Sequence, residues 1–221
     1  TGSSATAAAL GAEAARRGLF LMPGHVERFN PAVRAAAEAA GQPGYIEALR
    51  ISPFRFRSAD IDVVMDLMIH DLDVVLHLAR APVASVRATG VPVLTGRADA
   101  AAAWLEFEGG GTANLRASRV SLKEARELRI FAPDAYISID YAARRARLVR
   151  HLPPAPGEPP PATEAALLAR IEQRDLATTS EEPLAAELAA FRDAALGAPP
   201  AIRWDEAVEA LRLAERIQGE I

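Results

Sequence analysis

Cysteine is absent from the 221 residues, which excludes disulfides, thiolate metal sites and a thiol nucleophile and fits a reducing compartment. Lysine is nearly absent too. Of 25 basic residues only Lys123 is a lysine, so any chemistry that needs a lysine has a single candidate. Positive charge is not in excess: the formal net charge is −4, which removes the basic field that drives binding to nucleic acid or to anionic membranes, and no nucleic-acid partner is expected. No apolar run reaches the roughly 18 to 20 residues of a membrane-spanning helix. The opening TGSSATAAALGAEAARRG lacks a basic end followed by a long apolar core, so no signal peptide or membrane anchor is expected and the cytoplasm is the expected compartment. What is present is ordinary globular usage, 50% hydrophobic and 24% charged, which excludes disordered, collagen-like and coiled-coil classes. No internal repeat is visible.

The Ala-rich stretch from Ala5 to Arg17, closed by Arg16, Arg17 and Gly18, predicts a helix with a basic last turn and a glycine stop. Leu19 to Met22 is apolar but too short for a helix and reads as a buried strand, the end of a doubly wound unit, so the chain reads as starting in mid-domain. Asn30-Pro31 predicts an N-cap and first turn for a helix over Ala32 to Ala40. From Gly44 a period of two sets Tyr45, Glu47, Leu49 and Ile51 against Ile46, Ala48 and Arg50, the pattern of a strand. Further strands are predicted at Val83 to Thr89, Ala100 to Glu108, Thr112 to Ser118, Glu127 to Phe131, Tyr136 to Asp140 and Arg147 to His151. Gly109-Gly110-Gly111 and Pro133-Asp134 supply hairpin turns. The Pro-rich run Pro153 to Pro161 reads as an exposed loop, and two helices, Pro183 to Leu196 and Asp205 to Gln218, the latter capped by Asp205, close the chain.

The segment Asp62 to Ala79 reads as one long helix, and at about 100° per residue it gathers Asp62, Asp66, His70, Asp73 and His77 on one stripe. The rest of its circumference is apolar, with Asp71 the exception. A helix apolar on nearly every side is buried, and carboxylates or imidazoles in it are costly unless the stripe lines a pocket. Asp66 and His70 stand at i and i+4, the spacing for a carboxylate to touch an imidazole, to favour its charged form and to orient a general base. A plain ion pair or core histidine is the alternative. A metal ion held with Asp73 or His77 is the third reading, disfavoured because one straight helix points few ligands at one ion.

Four segments in order, GHVERFNPAV (Gly24 to Val33), VVMDLMIHDLDVVLHL (Val63 to Leu78), ASRVS (Ala117 to Ser121) and EEPLAAELAAF (Glu181 to Phe191), resemble the C-terminal part of the Gfo/Idh/MocA oxidoreductases, in particular the bacterial sugar-nucleotide dehydrogenases. The fold expected is α/β. Residues 1–30 are the remnant of a Rossmann domain, helix then strand, and residues 31–221 form an α+β domain with a mixed, largely antiparallel open sheet and helices on one face. The resemblance implies NAD or NADP as cofactor, a sugar or nucleotide-sugar hydroxyl as substrate, and a Lys, Asp and His in the active site. By position Asp66 and His70 are the latter two. His25 and Arg28 are placed near the cofactor, and Asn30 and Asp73 near the substrate. Arg55, Arg57 and Arg119 are candidates for the substrate phosphates, since planar guanidinium groups suit them. No resident metal is expected, and a homodimer or homotetramer is expected through the sheet face.

Two departures qualify this. No G-x-G-x-x-G occurs, so the phosphate-binding turn of a Rossmann unit is missing, and Thr1-Gly2-Ser3-Ser4 stands about where the family's lysine motif falls. Lys123 is in the wrong segment to replace it. The expectation is therefore the substrate and acid–base half of a dehydrogenase, inactive without a nucleotide-binding half. A non-catalytic sugar-binding or oligomerisation module is the alternative.

Overall fold

Ser3 starts helix α1 (Ser4–Arg16) by accepting a hydrogen bond from the Thr6 amide, and Gly18, with φ of 65°, ends it in the left-handed region that favours glycine. The computed structural model describes residues 2–56, 60–153 and 161–221. The Pro-rich run therefore lies largely outside the described residues, as does Arg57.

Leu19 to Met22, expected as a strand, carries none: no ladder joins it to another segment among the described residues, and an apolar run cannot become a strand without a partner. A 3₁₀ turn, Val26–Phe29, follows. Asn30 then caps α2 (Pro31–Ala39) by accepting from the Ala32 amide, with Pro31 in the first turn as expected.

Eight strands form one sheet: β1 (Tyr45–Ile51), β2 (Val83–Val91), β3 (Ala100–Phe107), β4 (Thr112–Ser118), β5 (Ala125–Phe131), β6 (Ala135–Asp140), β7 (Arg145–His151) and β8 (Ile171–Asp175). Their order is β2-β3-β4-β1-β5-β6-β7-β8. Among the described residues only the central β1–β4 pair is parallel; every other ladder is antiparallel. The sheet is thus mixed, largely antiparallel and open, as the turn-rich sequence implies. β8 was not expected, and the helices α4 (Glu164–Leu168), α5 (Pro183–Ala195) and α6 (Trp204–Glu220) complete the chain. The cap of α6 differs from expectation. Arg203 rather than Asp205 is the cap residue, its amide donating to the Glu206 carboxylate at 2.8 Å, because the extended backbone at Arg203 leaves Asp205 already inside the first turn.

One face of the sheet builds the core. Ile46, Ala48, Ala103, Leu105, Leu115, Leu128, Ile130, Ile137 and Leu148 pack beneath α2, α6 and α3 (Ile69–Ala79), the helix that carries Leu72, Val75 and Leu78. The other face is only partly covered. It carries an aromatic row, Trp104–Tyr45–Phe131–Tyr136, with successive ring centroids 5.8, 5.5 and 5.0 Å apart. α1 packs chiefly on α6. The Ser4 amide donates to Glu215 at 2.8 Å and the Trp204 indole donates to the Ala7 carbonyl at 2.8 Å. Gly11 is required there, since a Cβ would stand 2.5 Å from the Trp204 ring.

Candidate active site

The segment expected as one straight helix begins with an irregularity. Asp62 caps it by accepting from the amides of Val64 and Met65, so this carboxylate is a cap rather than a member of a catalytic stripe. A π-helical turn follows over Val64–Met68, with the Ile69 amide donating to the Val64 carbonyl, before α3 proper begins. An i→i+5 turn holds one residue more than an α-turn and rotates everything before it relative to everything after it. The expected single stripe is split accordingly.

Asp66 and His70 line a cavity of about 230 Å³ together with Arg50, Ser52, Arg55 and Arg126. Asp73 and His77 line a different one, of about 460 Å³, with Arg28 and Glu206. Asp66 and His70 share their cavity, but no hydrogen bond or ion pair joins them, contrary to the i,i+4 expectation; the added residue in the turn removes the alignment. Among the described residues no three His, Asp or Glu side chains converge to hold a metal ion.

The charge beneath His70 comes from a strand. Arg50 sits on the inward face of β1, only 5% exposed, because the period of two that buries Ile46 and Ala48 buries it as well. A guanidinium there needs counter-charge. Asp71, 3% exposed, supplies it in a bidentate pair, Nε to Oδ2 at 2.8 Å and Nη2 to Oδ1 at 2.9 Å. Glu27 adds a contact to Nη2 at 3.1 Å, and the Tyr141 ring lies 5.3 Å from the guanidinium carbon. Asp71, the one polar exception on the apolar arc of the helix, is thus explained.

Burial, then the positive charge of Arg50, hold the His70 imidazole below its ordinary range, and these outweigh Asp71 and Glu27. A carboxylate was expected to favour the charged ring; the structure reverses the sign. At neutral pH His70 is therefore an unprotonated base facing a cavity.

The other sequence-derived candidates divide clearly. Asn30 is buried and has a structural part: beyond capping α2 it donates to the Tyr141 carbonyl at 3.1 Å. Arg119 reaches the cavity of His70, but its Nε donates to Asp99 at 2.8 Å and its Nη1 to the Ile61 carbonyl at 2.7 Å, so it builds the wall. Burial would raise the Asp99 carboxyl, yet the amides of Thr95, Leu94 and Val93 and the Arg119 guanidinium outweigh it and hold Asp99 well below the usual carboxylate range. Arg55 stands exposed at the cavity mouth, 3.5 Å from Glu124. Arg126, which the sequence reading missed, meets the same carboxylate at 2.9 Å.

Arg28, Asp73 and His25 form their own buried cluster away from Asp66. Arg28 lies 3.3 Å from Asp73 and 3.5 Å from Glu206, and His25 Nδ1 is 3.9 Å from Asp73 Oδ2. Burial lowers His25 to about 4 and raises Asp73 to about 7, against the opposing pull of Arg28 on the carboxyl. Between those values both partners are neutral. The raised carboxyl has a stability consequence. The native state holds a proton on Asp73 up to about pH 7, whereas the unfolded chain releases it near 3.8, so stability falls as pH rises through this window. Asp73→Asn is expected to gain stability relative to the wild type progressively between pH 4 and 7, with a constant difference above. Urea unfolding at pH 4.5, 6 and 8 checks this, and a difference independent of pH would contradict the raised carboxyl.

Comparison with known proteins follows this geometry. A family profile described as the GFO/IDH/MocA C-terminal domain matches residues 40–138. The structure of the UDP-N-acetylglucosamine 3-dehydrogenase of Acidithiobacillus ferrooxidans superposes with a TM-score of 0.87 at 36% identity, covering 100% of this chain and 68% of that one. The chain belongs to the Gfo/Idh/MocA family. The curated sequence of a UDP-N-acetylglucosamine 3-dehydrogenase from Acidithiobacillus ferrooxidans is 50% identical over 129 residues, 58% of this chain and 41% of the relative. The chain thus matches less than half of that relative's length. An oxidoreductase domain protein from Kribbella flavida, at 16% identity and a TM-score of 0.81, shares the fold.

A dinucleotide cofactor finds no cradle among the described residues of this Gfo/Idh/MocA chain. Its one glycine cluster, Gly109-Gly110-Gly111, turns the β3–β4 hairpin with positive φ at all three positions and opens no helix. Arg28, expected beside the cofactor, spends its donors on Asp73 and Glu206. Lys123 sits in the exposed turn between β4 and β5 and does not line the cavity of His70. Among the described residues no helix is long and apolar enough to cross a membrane.

Proposed function

We propose that this chain is the substrate-facing, acid–base half of an NAD(P)-dependent oxidoreductase acting on a hydroxyl of a nucleotide sugar. The observation that carries the reading is His70, a desolvated, neutral imidazole at a cavity whose mouth holds Arg55 and Arg126. His70 accepts the proton of the sugar hydroxyl as that carbon is oxidised. Asp66, in the same cavity, hydrogen-bonds the sugar and faces the imidazolium once it forms. Arg55 and Arg126, which share the single carboxylate Glu124, exchange it for the substrate phosphates. A nucleotide-binding domain joined to this chain would hold NAD or NADP, which would supply the hydride acceptor. The name of the Acidithiobacillus ferrooxidans relative makes UDP-N-acetylglucosamine the first substrate to try.

The 221-residue chain alone is expected to give no NADH from NAD and UDP-N-acetylglucosamine, because it holds no pyrophosphate cradle. A chimaera that joins the nucleotide-binding domain of that relative to this chain is expected to turn over. NADH formation followed by the absorbance of the reduced nicotinamide decides it. Turnover by the isolated chain would refute the division of labour, and a folded chimaera that binds NAD yet oxidises no nucleotide sugar would refute the substrate class.

A second reading, assembly, is favoured by the aromatic row on the open sheet face. Half-buried rings in a continuous row are what a self-complementary interface buries, and a homodimer or homotetramer through this face is expected. Light scattering should show an oligomer for the chain and a monomer for Trp104→Glu. A monomeric wild type at micromolar concentration would remove this role from the face.

A further inference from the structure

Arg50 has more donors than the protein uses. Its Nε and Nη2 are taken by Asp71 and Glu27, while Nη1 makes no hydrogen bond among the described residues. The residue is nonetheless 5% exposed and lines the cavity that holds His70 and Asp66. Nη1 is not among the buried polar atoms that lack a partner, so it is the part of this otherwise enclosed side chain that reaches open space, with two N–H groups and no protein acceptor. The position is rigid as well. Two carboxylates and the Tyr141 ring fix the guanidinium plane, so Nη1 is preorganised toward the cavity at no further entropic cost.

We infer that Arg50 Nη1 is a substrate-binding donor that holds an uncharged oxygen of the sugar, a hydroxyl or an acyl carbonyl, beside the hydroxyl that His70 deprotonates. The charge balance selects the class of oxygen. Asp71 and Glu27 already outnumber the single positive charge of Arg50, so its free donor has no surplus positive charge to offer a phosphate and suits an uncharged oxygen. At the mouth the balance reverses, with Arg55 and Arg126 against Glu124 alone. The cavity is thus graded, neutral polyol inward and anion outward. This deepens the proposed function and rests on it.

The test is ligand titration of the chain carrying ¹⁵N-arginine, with UDP-N-acetylglucosamine and with UDP as separate probes. The Arg50 side-chain signal is expected to shift with the sugar nucleotide and to stay in place with UDP. In calorimetry Arg50→Lys, which keeps a charge for Asp71 but loses the fork, should weaken the sugar nucleotide on the order of tenfold and leave UDP unchanged. If the variant unfolds, the wild-type titration alone decides. Equal affinity of Arg50→Lys and wild type for the sugar nucleotide, an Arg50 signal that does not move, or a matching loss for UDP overturns the inference while the nucleotide-sugar reading stands. If the wild type binds neither probe that reading fails, and free N-acetylglucosamine then decides for Arg50: a shift of its signal sustains the donor, and none overturns it.

Discussion

Asp71→Ala is expected to lower the melting temperature by roughly 6–20 °C, the largest stability effect of any single substitution outside the apolar core. The reason is the asymmetry of buried ion pairs. Removing one partner leaves Arg50, 5% exposed, with only the single contact to Glu27 in place of a bidentate pair. Breaking such a pair costs about 3–5 kcal/mol, and in a chain of this length each kcal/mol shifts the midpoint by roughly 2–4 °C. Removing both charges is a different matter. Arg50→Met with Asp71→Leu is expected to recover part of the loss, since apolar side chains of similar volume do as well in the interior while Glu27 is left without its cation. Thermal melts of Arg50→Met, of Asp71→Leu and of the double, closed as a cycle, give the coupling. An Asp71→Ala midpoint within 2 °C of wild type would show that Glu27 alone satisfies the guanidinium.

His70→Ala in the active chimaera is expected to lower kcat by about 10²–10⁴, the usual contribution of a positioned base. The pH profile carries a sharper signature. Burial and the charge of Arg50 keep His70 below the ordinary imidazole range, so the acid limb of the wild-type rate, where the ring takes up a proton, should lie below the pH at which a free imidazole titrates. His70→Ala should lose that acid limb while keeping its affinity for NAD. Asp66→Asn is a milder change, because no hydrogen bond or ion pair ties Asp66 to the ring. Its effect should appear in KM more than in kcat. A His70→Ala enzyme of undiminished kcat would assign proton removal elsewhere.

The elements were legible where local chemistry is strong. Asn30-Pro31 marks the start of α2, the three glycines mark the β3–β4 hairpin, and the alternation in Tyr45–Ile51 marks β1 and its buried face. β8 escaped because Ile-Glu-Gln-Arg-Asp is an edge strand, polar on both faces, with no apolar alternation to read. The π-turn left no trace in a uniformly apolar stretch, and with it went the division of the helix between two cavities. Asp66 and His70 were legible as a pair on a buried helix, although not their separation. The Arg50–Asp71 pair was written in the sequence as two anomalies, an arginine on the inward face of a strand and an aspartate on the apolar arc of a helix. Each is costly alone, and matching one buried charge to the other is the signal that would have found it. Arg126 and Glu124 carry no such mark, since half-exposed charged residues near a turn resemble any surface pair.

The clasp between α1 and α6 sets an order of events during synthesis. Ser4 and Ala7 find their partners at Glu215 and Trp204, some two hundred residues later. The sheet and α3 can assemble while the chain is still being made. The contacts of Ser4 and Ala7 with α6 form only once α6 has been made. Removal of α6 therefore leaves every sheet ladder with its partner and takes away the acceptors and donors that hold α1 in place.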